Sequence, residues 1–371
     1  MNNIPTTYPP SRKSRKAASL SQVYFSNAVY FPNHRIYNGD TPGSMNYNCI
    51  STVYYCFANV ATDGGVFLSD EYADVRSPCD GVSGGLGSLM HLKQKHPHLQ
   101  VILSVGGPHS SQIFATVAAS AVLRDNFARS CKDLVDASGL DGIDIVWQWP
   151  MGALQGANFV ALLAAIRMYL PEEHYLLTAA LPAAQVVLSA IDVQRAAEYL
   201  DLLNLMAFDM YGAWSSRSGH HAQLYPATHK EDESFSGSFA VSCLLSQGFP
   251  AKKILFGIPC FGRHFPGVTS TGQSFSRPSG DGTVDYLQLP RKGSKEIVDR
   301  RACAAFCVGS SGSSNSSGFI TYDNPETVKA KAAFVKQKGL GGLFYWTGPA
   351  DAKDGKRSLI ASGFKALHSS G

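Results

Sequence analysis

The stretch GLDGIDIVWQWP, residues 139–150, has the composition of a buried strand that ends in polar and aromatic side chains. Successive side chains of a strand point to opposite faces, so Asp144, Val146 and Gln148 share one face and Asp141 lies on the other. Carboxylates clustered on one strand face could act as general acid and base. Val146 and Gln148 cannot ionise, so this face has lost the acids that such chemistry would use.

Other apolar segments also end in clusters of small, polar or aromatic residues. SVGG at 104–107 is a turn of small residues, which lets the backbone approach a neighbour or a ligand closely. MAFDMYGAW at 206–214 and GIPCFGRHF at 257–265 are two further clusters, and another apolar run ends in Trp346. A fold that brings these segment ends together would build one site from them.

Short runs rich in β-branched and aromatic residues alternate with helical patterns, which predicts a parallel β/α fold. Eight strands with helical connections favour a closed (β/α)8 barrel, the TIM barrel, over a doubly wound sheet, and a barrel forms its site at the C-terminal ends of the strands. Apolar spacing predicts a helix over 158–170, and Pro near the start with Gly past the end predicts another over 325–339. The predicted strands are 27–31, 50–60, 100–107, 142–149, 175–183, 202–211, 253–262 and 341–346.

Residues 266–324 are too many for a loop and too rich in Gly and Ser for another barrel unit. We therefore expect a small α+β insertion there, between strands seven and eight. The barrel domain then comprises residues 21–265 and 325–371. The Pro- and Ser-rich residues 1–20 are expected to form a disordered basic leader.

The composition of the chain limits the classes of partner that it could bind. A net charge of +4 is small for 371 residues, and no apolar run approaches membrane-spanning length, so we expect neither a nucleic-acid nor a membrane partner. The basic run RKSRK at 12–16 is compatible with a nucleic-acid arm, but a solvated tail is the favoured interpretation. The cysteines form no CxxC pair and no metal-ligand set with histidines, and GHHAQ at 219–223 is interpreted as a loop end, so no metal or other cofactor is expected.

The N-terminus lacks the apolar segment of a signal peptide, so the chain is either intracellular or begins at its mature start. Eight cysteines, an even number that permits disulfides of unknown connectivity, and the sequon NSS at 315–317 favour a secreted protein.

Four collinear motifs resemble the glycoside hydrolase family 18 chitinases, most closely the fungal members. SVGG followed by LDGIDIVWQWP is similar to that family's third and fourth strands, of which the fourth reads Asp-Gly-x-Asp-x-Asp-x-Glu. LMAFDMYGAW is similar to its Met-Ala-Tyr-Asp strand, GIPCFGRHF to its Gly-x-Pro-x-Tyr-Gly-Arg, and GGLFYW to its Gly-Gly-x-x-x-Trp. The resemblance runs from about residue 26 to the C-terminus.

The resemblance implies substrate-assisted hydrolysis of chitin. In that mechanism the last Glu of the motif protonates the glycosidic oxygen, the preceding Asp orients the attacking N-acetyl group, and a Tyr on the sixth strand hydrogen-bonds the same acetamide. In this chain Asp141 and Asp144 match the motif, but Val146 replaces the orienting Asp, Gln148 replaces the acid and Phe208 replaces the Tyr.

These replacements remove the groups that such a transition state needs. A neutral amide at Gln148 has no proton to give near pH 7, so general acid catalysis, worth roughly 10²–10⁴-fold, is lost. Val146 cannot accept a hydrogen bond from the acetamide, and Phe208 has no hydroxyl to offer. The fungal pattern also tends to place Glu after the last strand, where this chain has Thr347. We therefore expect no competent catalytic residue and interpret the chain as a pseudoenzyme.

Binding survives these changes. Gln148 keeps the volume of Glu and can donate an N–H to a glycosidic oxygen, and the resemblance places Trp346 at the floor of the central subsite. A groove that binds substrate but lacks groups for the transition state stabilises the ground state alone, as a lectin does. The expected substrate-binding residues are Tyr30, Phe57, Gln148, Trp149, Met206, Phe208, Asp209, Trp214, Arg263 and Trp346.

Several residues keep alternative interpretations. Trp147 and Trp149 are expected to face opposite ways, with one of them in the core. Asp141 is interpreted as a buried structural acid, and Asp144 as either a satisfied acid of the barrel interior or a functional one. Arg263 contacts ligand or pairs with a carboxylate at the rim of the cleft.

The leading hypothesis is a secreted, monomeric chitinase-like lectin that binds chitin and chitooligosaccharides. The resemblance to fungal members suggests an effector of virulence that sequesters chitin fragments from host immune sensing. Three alternatives stay open: an active or residually active endochitinase that uses a displaced carboxylate such as Asp209, an engineered inactive mutant of one, and a protein–protein module with a vestigial cleft.

Overall fold

Strands and helices alternate along the part of the chain that the computed structural model describes, residues 25–227, 234–309 and 318–369. The leader expected over 1–20 lies outside these residues. In chain order the strands are β1 (Ser26–Pro32), β2 (Thr52–Val60), β3 (Val66–Leu68), β4 (Pro78–Cys79), β5 (Val82–Ser83), β6 (Gln100–Gly106), β7 (Gly142–Val146), β8 (Leu176–Pro182), β9 (Leu202–Met206), β10 (Ile254–Pro259), β11 (Phe261–Pro266), β12 (Thr283–Asp285), β13 (Glu296–Asp299), β14 (Ala304–Gly309), β15 (Gly318–Tyr322) and β16 (Gly342–Trp346).

The helices lie mainly between the strands of the parallel sheet. They are α1 (Gly85–Lys95), α2 (Ser111–Ala119), α3 (Ala121–Ser138), α4 (Gly152–Tyr169), α5 (Gln185–Leu188), α6 (Val193–Tyr199), α7 (Gly237–Ser246), α8 (Pro325–Lys338) and α9 (Leu359–His368). Short 3₁₀ or π-helical turns are Asn33–Asn38, Pro42–Ser44, Tyr72–Arg76, Ala251–Lys253, Tyr286–Gln288 and Gly348–Ala350.

Eight strands close into a parallel barrel, which confirms the predicted TIM barrel. Their order around the barrel is β1, β16, β10, β9, β8, β7, β6 and β2, and β2 pairs with β1 to close the ring. At the closing seam Val29 lies opposite Val53 on one side and Tyr345 on the other. Each predicted strand segment overlaps one of these eight strands, and all but the first contain it completely. Their C-terminal ends therefore meet on one side of the barrel.

Local sequence signals account for the predicted helix near the C-terminus. Asn324 caps the N-terminus of α8 by accepting a 3.0 Å hydrogen bond from the backbone N–H of Thr327, and the Thr327 hydroxyl accepts one from the backbone of Asn324. Pro325 is the first helical residue, where a missing N–H costs nothing. Gly339 ends the helix with a φ of 66°, a left-handed conformation that glycine adopts without strain.

A second, antiparallel sheet lies between β10 and β16 in the sequence. Its strand order is β12, β11, β15, β14 and β13, and it spans residues 261–322. Because β11 begins two residues after β10 ends, this sheet stands directly beside the mouth of the barrel and carries Arg263.

All eight cysteines lie within the described residues and have free thiols in the structure. Within the same residues, no helix has both the length and the apolar character that a membrane span requires.

Candidate functional site

A cavity of about 790 Å³ opens at the C-terminal ends of the barrel strands. Nine of the ten side chains that the sequence predicts for ligand binding line it, the exception being Arg263. Side chains of β1, β2, β7, β8, β9 and β16 reach it from the strands, and loops complete its walls. The nine are Tyr30, Phe57, Gln148, Trp149, Met206, Phe208, Asp209, Trp214 and Trp346.

Aromatic rings form one continuous surface in this cavity. The Trp346 ring centroid lies 5.2 Å from that of Tyr30 and 5.9 Å from that of Phe57. The turn SVGG supports this surface, because a Cβ at Gly107 would lie 2.7 Å from the Phe57 ring. Aromatic faces of this kind hold flat apolar surfaces such as the C–H faces of sugar rings.

Asp144 lies in the barrel interior beneath the cavity and does not line it. Its Oδ2 accepts hydrogen bonds from Tyr30 Oη at 2.8 Å and Ser104 Oγ at 2.7 Å, and its Oδ1 accepts one from Thr178 Oγ1 at 2.7 Å. Burial raises the pKa of Asp144, although the three hydroxyls oppose that shift. Of its two interpretations, the structure therefore favours the satisfied interior acid.

The wall above Asp144 is apolar where a hydrolase would need acids. Val146 and Phe208 both line the cavity and are almost fully buried. Phe208 packs edge to face against Phe261 and Phe344, with ring centroids 5.8 and 6.2 Å away. A Cβ at Gly257 would lie 2.9 Å from the Phe208 ring, so the backbone of β10 fixes that ring in place.

Gln148 stands at the end of this wall, two residues beyond the last residue of β7. Its backbone N–H donates a 3.0 Å hydrogen bond to Ser111 Oγ, which anchors the chain after the strand. The side chain lines the cavity, and no described residue forms a hydrogen bond with its amide. The amide is therefore available to a ligand, both as donor and as acceptor.

Arg263 lies behind the cavity wall and holds two wall residues in position. Its Nε and Nη2 both lie 2.8 Å from Asp209 Oδ1, and its Nη1 donates to Asp281 Oδ2 at 3.0 Å. The guanidinium also lies 5.0 Å from the Trp214 ring centroid, a cation–π distance. These contacts agree with the second interpretation of Arg263, in which it pairs with a carboxylate at the rim of the cleft. Arg263 itself does not line the cavity.

Among the described residues that line the cavity, Asp209 is the only one with a carboxylate side chain. Its φ of 60° is left-handed, which is uncommon for a residue other than glycine and is typical of functional sites. Burial opposes its ionisation, but His221, with Nδ1 3.7 Å from Oδ1, and the charge of Arg263 outweigh burial. The pKa of Asp209 consequently lies below its ordinary value, so the group is ionised at neutral pH.

Trp147 and Trp149 do face opposite ways. Trp147 is buried outside the barrel sheet, stacked on Phe114 at 5.9 Å, whereas Trp149 lines the cavity. Regular alternation would place these two residues on the same face, but β7 ends at Val146 and the pattern ends with it. Asp141 is remote from the cavity, and its Oδ2 pairs with Lys93 Nζ at 2.7 Å. Its side chain is 31% exposed, so the interpretation of this acid as buried is wrong.

Sequence reasoning missed several cavity residues. Phe344 has the same strand parity as Trp346, so alternation along β16 could have identified it. Val186 and Phe235 line the rim from α5 and from the loop before α7, and both are exposed. No periodic pattern marks residues in such connections. Within the described residues no group of three or more His, Cys, Asp or Glu side chains could hold a metal ion.

Comparison with known proteins agrees with this geometry. The sequence model of the family Glycosyl hydrolases family 18 matches this chain over residues 24–351. Chitinase 1 of Aphanocladium album is 33% identical over 368 residues, covering 93% of this chain and 86% of that protein. Endochitinase 1 of Metarhizium robertsii is 33% identical over 367 residues, covering 92% and 85%.

Solved structures agree as well. The immunomodulatory active chitinase TsES1 from Trichuris suis superimposes with a TM-score of 0.83 at 25% identity, covering 93% of this chain and all of that one. The match to the family extends over both the barrel and the antiparallel sheet inserted in it. The chain therefore belongs to the glycosyl hydrolases family 18.

Proposed function

We propose that this chain binds chitin and chitooligosaccharides without hydrolysing them. Family membership supports the choice of ligand, since the fungal relatives are named as chitinases. The observation that carries the proposal is an aromatic cavity in which Gln148 and Val146 occupy the wall positions of the motif's acids. Such a site retains surfaces for the sugar and lacks a proton donor for the bond between sugars.

A displaced acid would have to come from another carboxylate. Asp209 lines the cavity, but its lowered pKa leaves it ionised at neutral pH, so it has no proton to donate. Asp144 is the next carboxylate along β7, and hydroxyl groups engage both of its oxygens. Neither group supports the alternative of an active endochitinase.

Binding without cleavage suggests the biological use. A secreted lectin of this kind would keep chitin fragments intact and hold them away from the immune receptors of a host. In this proposal the chain acts as an effector of virulence, and it needs no cofactor because it performs no chemistry.

Isothermal titration of the full chain with chitopentaose tests the proposal. We expect a saturable heat, and chromatography of the same sample should return the pentasaccharide intact. Trp346→Ala serves as the binding-deficient control, because it removes the ring at the centre of the aromatic surface. Absence of heat at millimolar sugar would contradict the binding claim, and recovery of shorter sugars would contradict the claim that the chain does not hydrolyse them.

A further inference from the structure

We infer that the cleft binds β-1,4-linked pyranose chains by their ring faces and does not select for the 2-acetamido group, so that glucose chains bind nearly as well as N-acetylglucosamine chains. This inference rests on the proposed function and specifies its ligand class. It follows from which polar atoms the cavity offers and which are already engaged.

Four apolar side chains form part of the cavity wall that Trp346 also lines. Val146, Met206, Phe208 and Phe344 line it, and Val146 and Phe208 have exposed fractions of 2% and 8%. A sugar substituent turned toward these side chains meets methyl groups, a thioether and ring faces. None of them can accept a hydrogen bond from an amide N–H with the strength of an oxygen acceptor.

Most of the polar groups beneath this surface are engaged with one another. The exceptions, Tyr54 Oη and Asn204 Oδ1, have no partner among the described residues, but both residues have exposed fractions of 0%, so a ligand does not reach these atoms. Tyr30 Oη donates to Asp144 Oδ2 and accepts a 2.9 Å hydrogen bond from Asn204 Nδ2. Ser104 and Thr178 also donate to Asp144. Pairing a ligand amide with any of these groups would break a buried hydrogen bond and leave its partner unsatisfied, which is costly.

Neither an acetamide nor a hydroxyl on the sugar therefore gains much binding free energy from this surface. The two substituents also differ little in the free energy that they gain. Both leave polar atoms unpaired when buried there, and the acetamide methyl offsets part of that cost by apolar contact. Sites built to hydrogen-bond a ligand group reject an analogue lacking it by roughly 10⁴–10⁵-fold. The apolar surface has no such means of discrimination.

The polar side chains that line the rest of the cavity do not restore selectivity. Gln148, Gln185 and Asp209 present amide or carboxylate oxygens, and the two glutamines also present N–H donors. Ser234 carries a hydroxyl, and the indoles of Trp149, Trp214 and Trp346 each carry one N–H. A sugar hydroxyl satisfies these groups as well as an acetamide does. They can therefore hold a chain in place without distinguishing its 2-substituent.

Titration of the full chain with chitopentaose and with cellopentaose, which share linkage and length, tests this inference. We expect dissociation constants within about tenfold of each other. A preference for chitopentaose greater than about tenfold would overturn the inference and leave the proposed function standing. Binding of neither sugar would overturn both.

A double variant within the cavity and a control variant outside it make the test more specific. Val146→Asp combined with Phe208→Tyr adds an acceptor and a hydroxyl to the apolar surface, and should shift the ratio toward chitopentaose by about tenfold or more. Val122→Asp adds a carboxylate on the exposed face of α3, where Val122 is 76% exposed, and should leave the ratio unchanged. An unchanged ratio in the folded double variant would also count against the inference, and thermal melting identifies whether that variant is folded.

Discussion

The hydroxyl of Tyr30 donates a 2.8 Å hydrogen bond to Oδ2 of Asp144, two residues before Val146 on the same face of β7. Burial raises the pKa of Tyr30 well above its ordinary value, and the charge of Asp144 adds to the shift, so the hydroxyl keeps its proton. The pair links β1 to β7 across the barrel interior. It stabilises the floor of the cleft, and it removes the nearest carboxylate from the chemistry above it.

Restoring the missing groups should create a hydrolase. The triple change Val146→Asp, Gln148→Glu and Phe208→Tyr supplies an acid, an orienting carboxylate and a hydroxyl at positions that line the cavity. We expect kcat/KM for a fluorogenic chitobioside to rise at least about 100-fold over the unmodified chain, the lower range for general acid catalysis. Gln148→Glu alone should recover less. Equal rates for the unmodified chain and the folded triple variant would contradict this expectation.

Trp346 should be the largest single contributor to affinity. Covering a large apolar side chain contributes about 2 kcal/mol, which corresponds to roughly 30-fold in dissociation constant. Titration of Trp346→Ala with chitopentaose measures this loss. Tyr37→Ala is the control, since Tyr37 is 59% exposed and lies outside the cavity. Equal losses in the two variants would exclude Trp346 as the anchor.

Alanine substitutions of Trp147 and Trp149 should have different effects, the first on the stability of the fold and the second on sugar binding. Trp147→Ala removes a fully buried ring stacked on Phe114, and should lower the free energy of unfolding by about 3–5 kcal/mol in urea denaturation. Trp149→Ala should change unfolding by less than about 1 kcal/mol and weaken binding of chitopentaose, because its ring lines the cavity. If both variants lost stability equally, the assignment of Trp149 to the cleft would be wrong.

Affinity should be flat between pH 7 and pH 9. The pKa of Asp209 lies below its ordinary 3.8, so this carboxylate is ionised throughout, and burial holds the pKa of His221 below 6.5, so that ring stays neutral. The raised pKa of Tyr30 keeps its hydroxyl protonated, and Gln148 does not titrate. Titrations with chitopentaose at several pH values should give dissociation constants within about twofold. A single-proton step within this range would show that another group governs binding.

Much of the architecture can be predicted from the sequence, because apolar residues recur with the regular spacing that strands and helices require. Runs of β-branched and aromatic residues identified all eight barrel strands, and Pro325 near the start with Gly339 past the end predicted α8. Alternation correctly placed Asp144 and Val146 on one face. It could not show that Asp144 lies deeper and is satisfied there, because depth depends on hydroxyls from three other strands.

The rest of the site depends on contacts between distant segments. Arg263 reaches Asp209 across 54 residues of sequence, and nothing in either motif specifies that pairing. Val186 and Phe235 lie in connections without a repeating pattern, and Trp149 follows the point where β7 ends. In each case the position is set by how loops pack at the barrel mouth, which sequence spacing alone does not encode.

Incubation of chitopentaose with the full chain in ¹⁸O-labelled water, followed by mass analysis of the sugar, tests the central claim most directly. Hydrolysis places one oxygen atom of water at the new reducing end, so even rare cleavage leaves labelled short chains. We predict that the pentasaccharide is recovered without any shorter chain, at chain concentrations where titration shows it bound. Label on the intact pentasaccharide does not count as cleavage, because the oxygen at its own reducing end exchanges with water. Labelled di- and trisaccharides from a preparation free of contaminating chitinase would contradict the account.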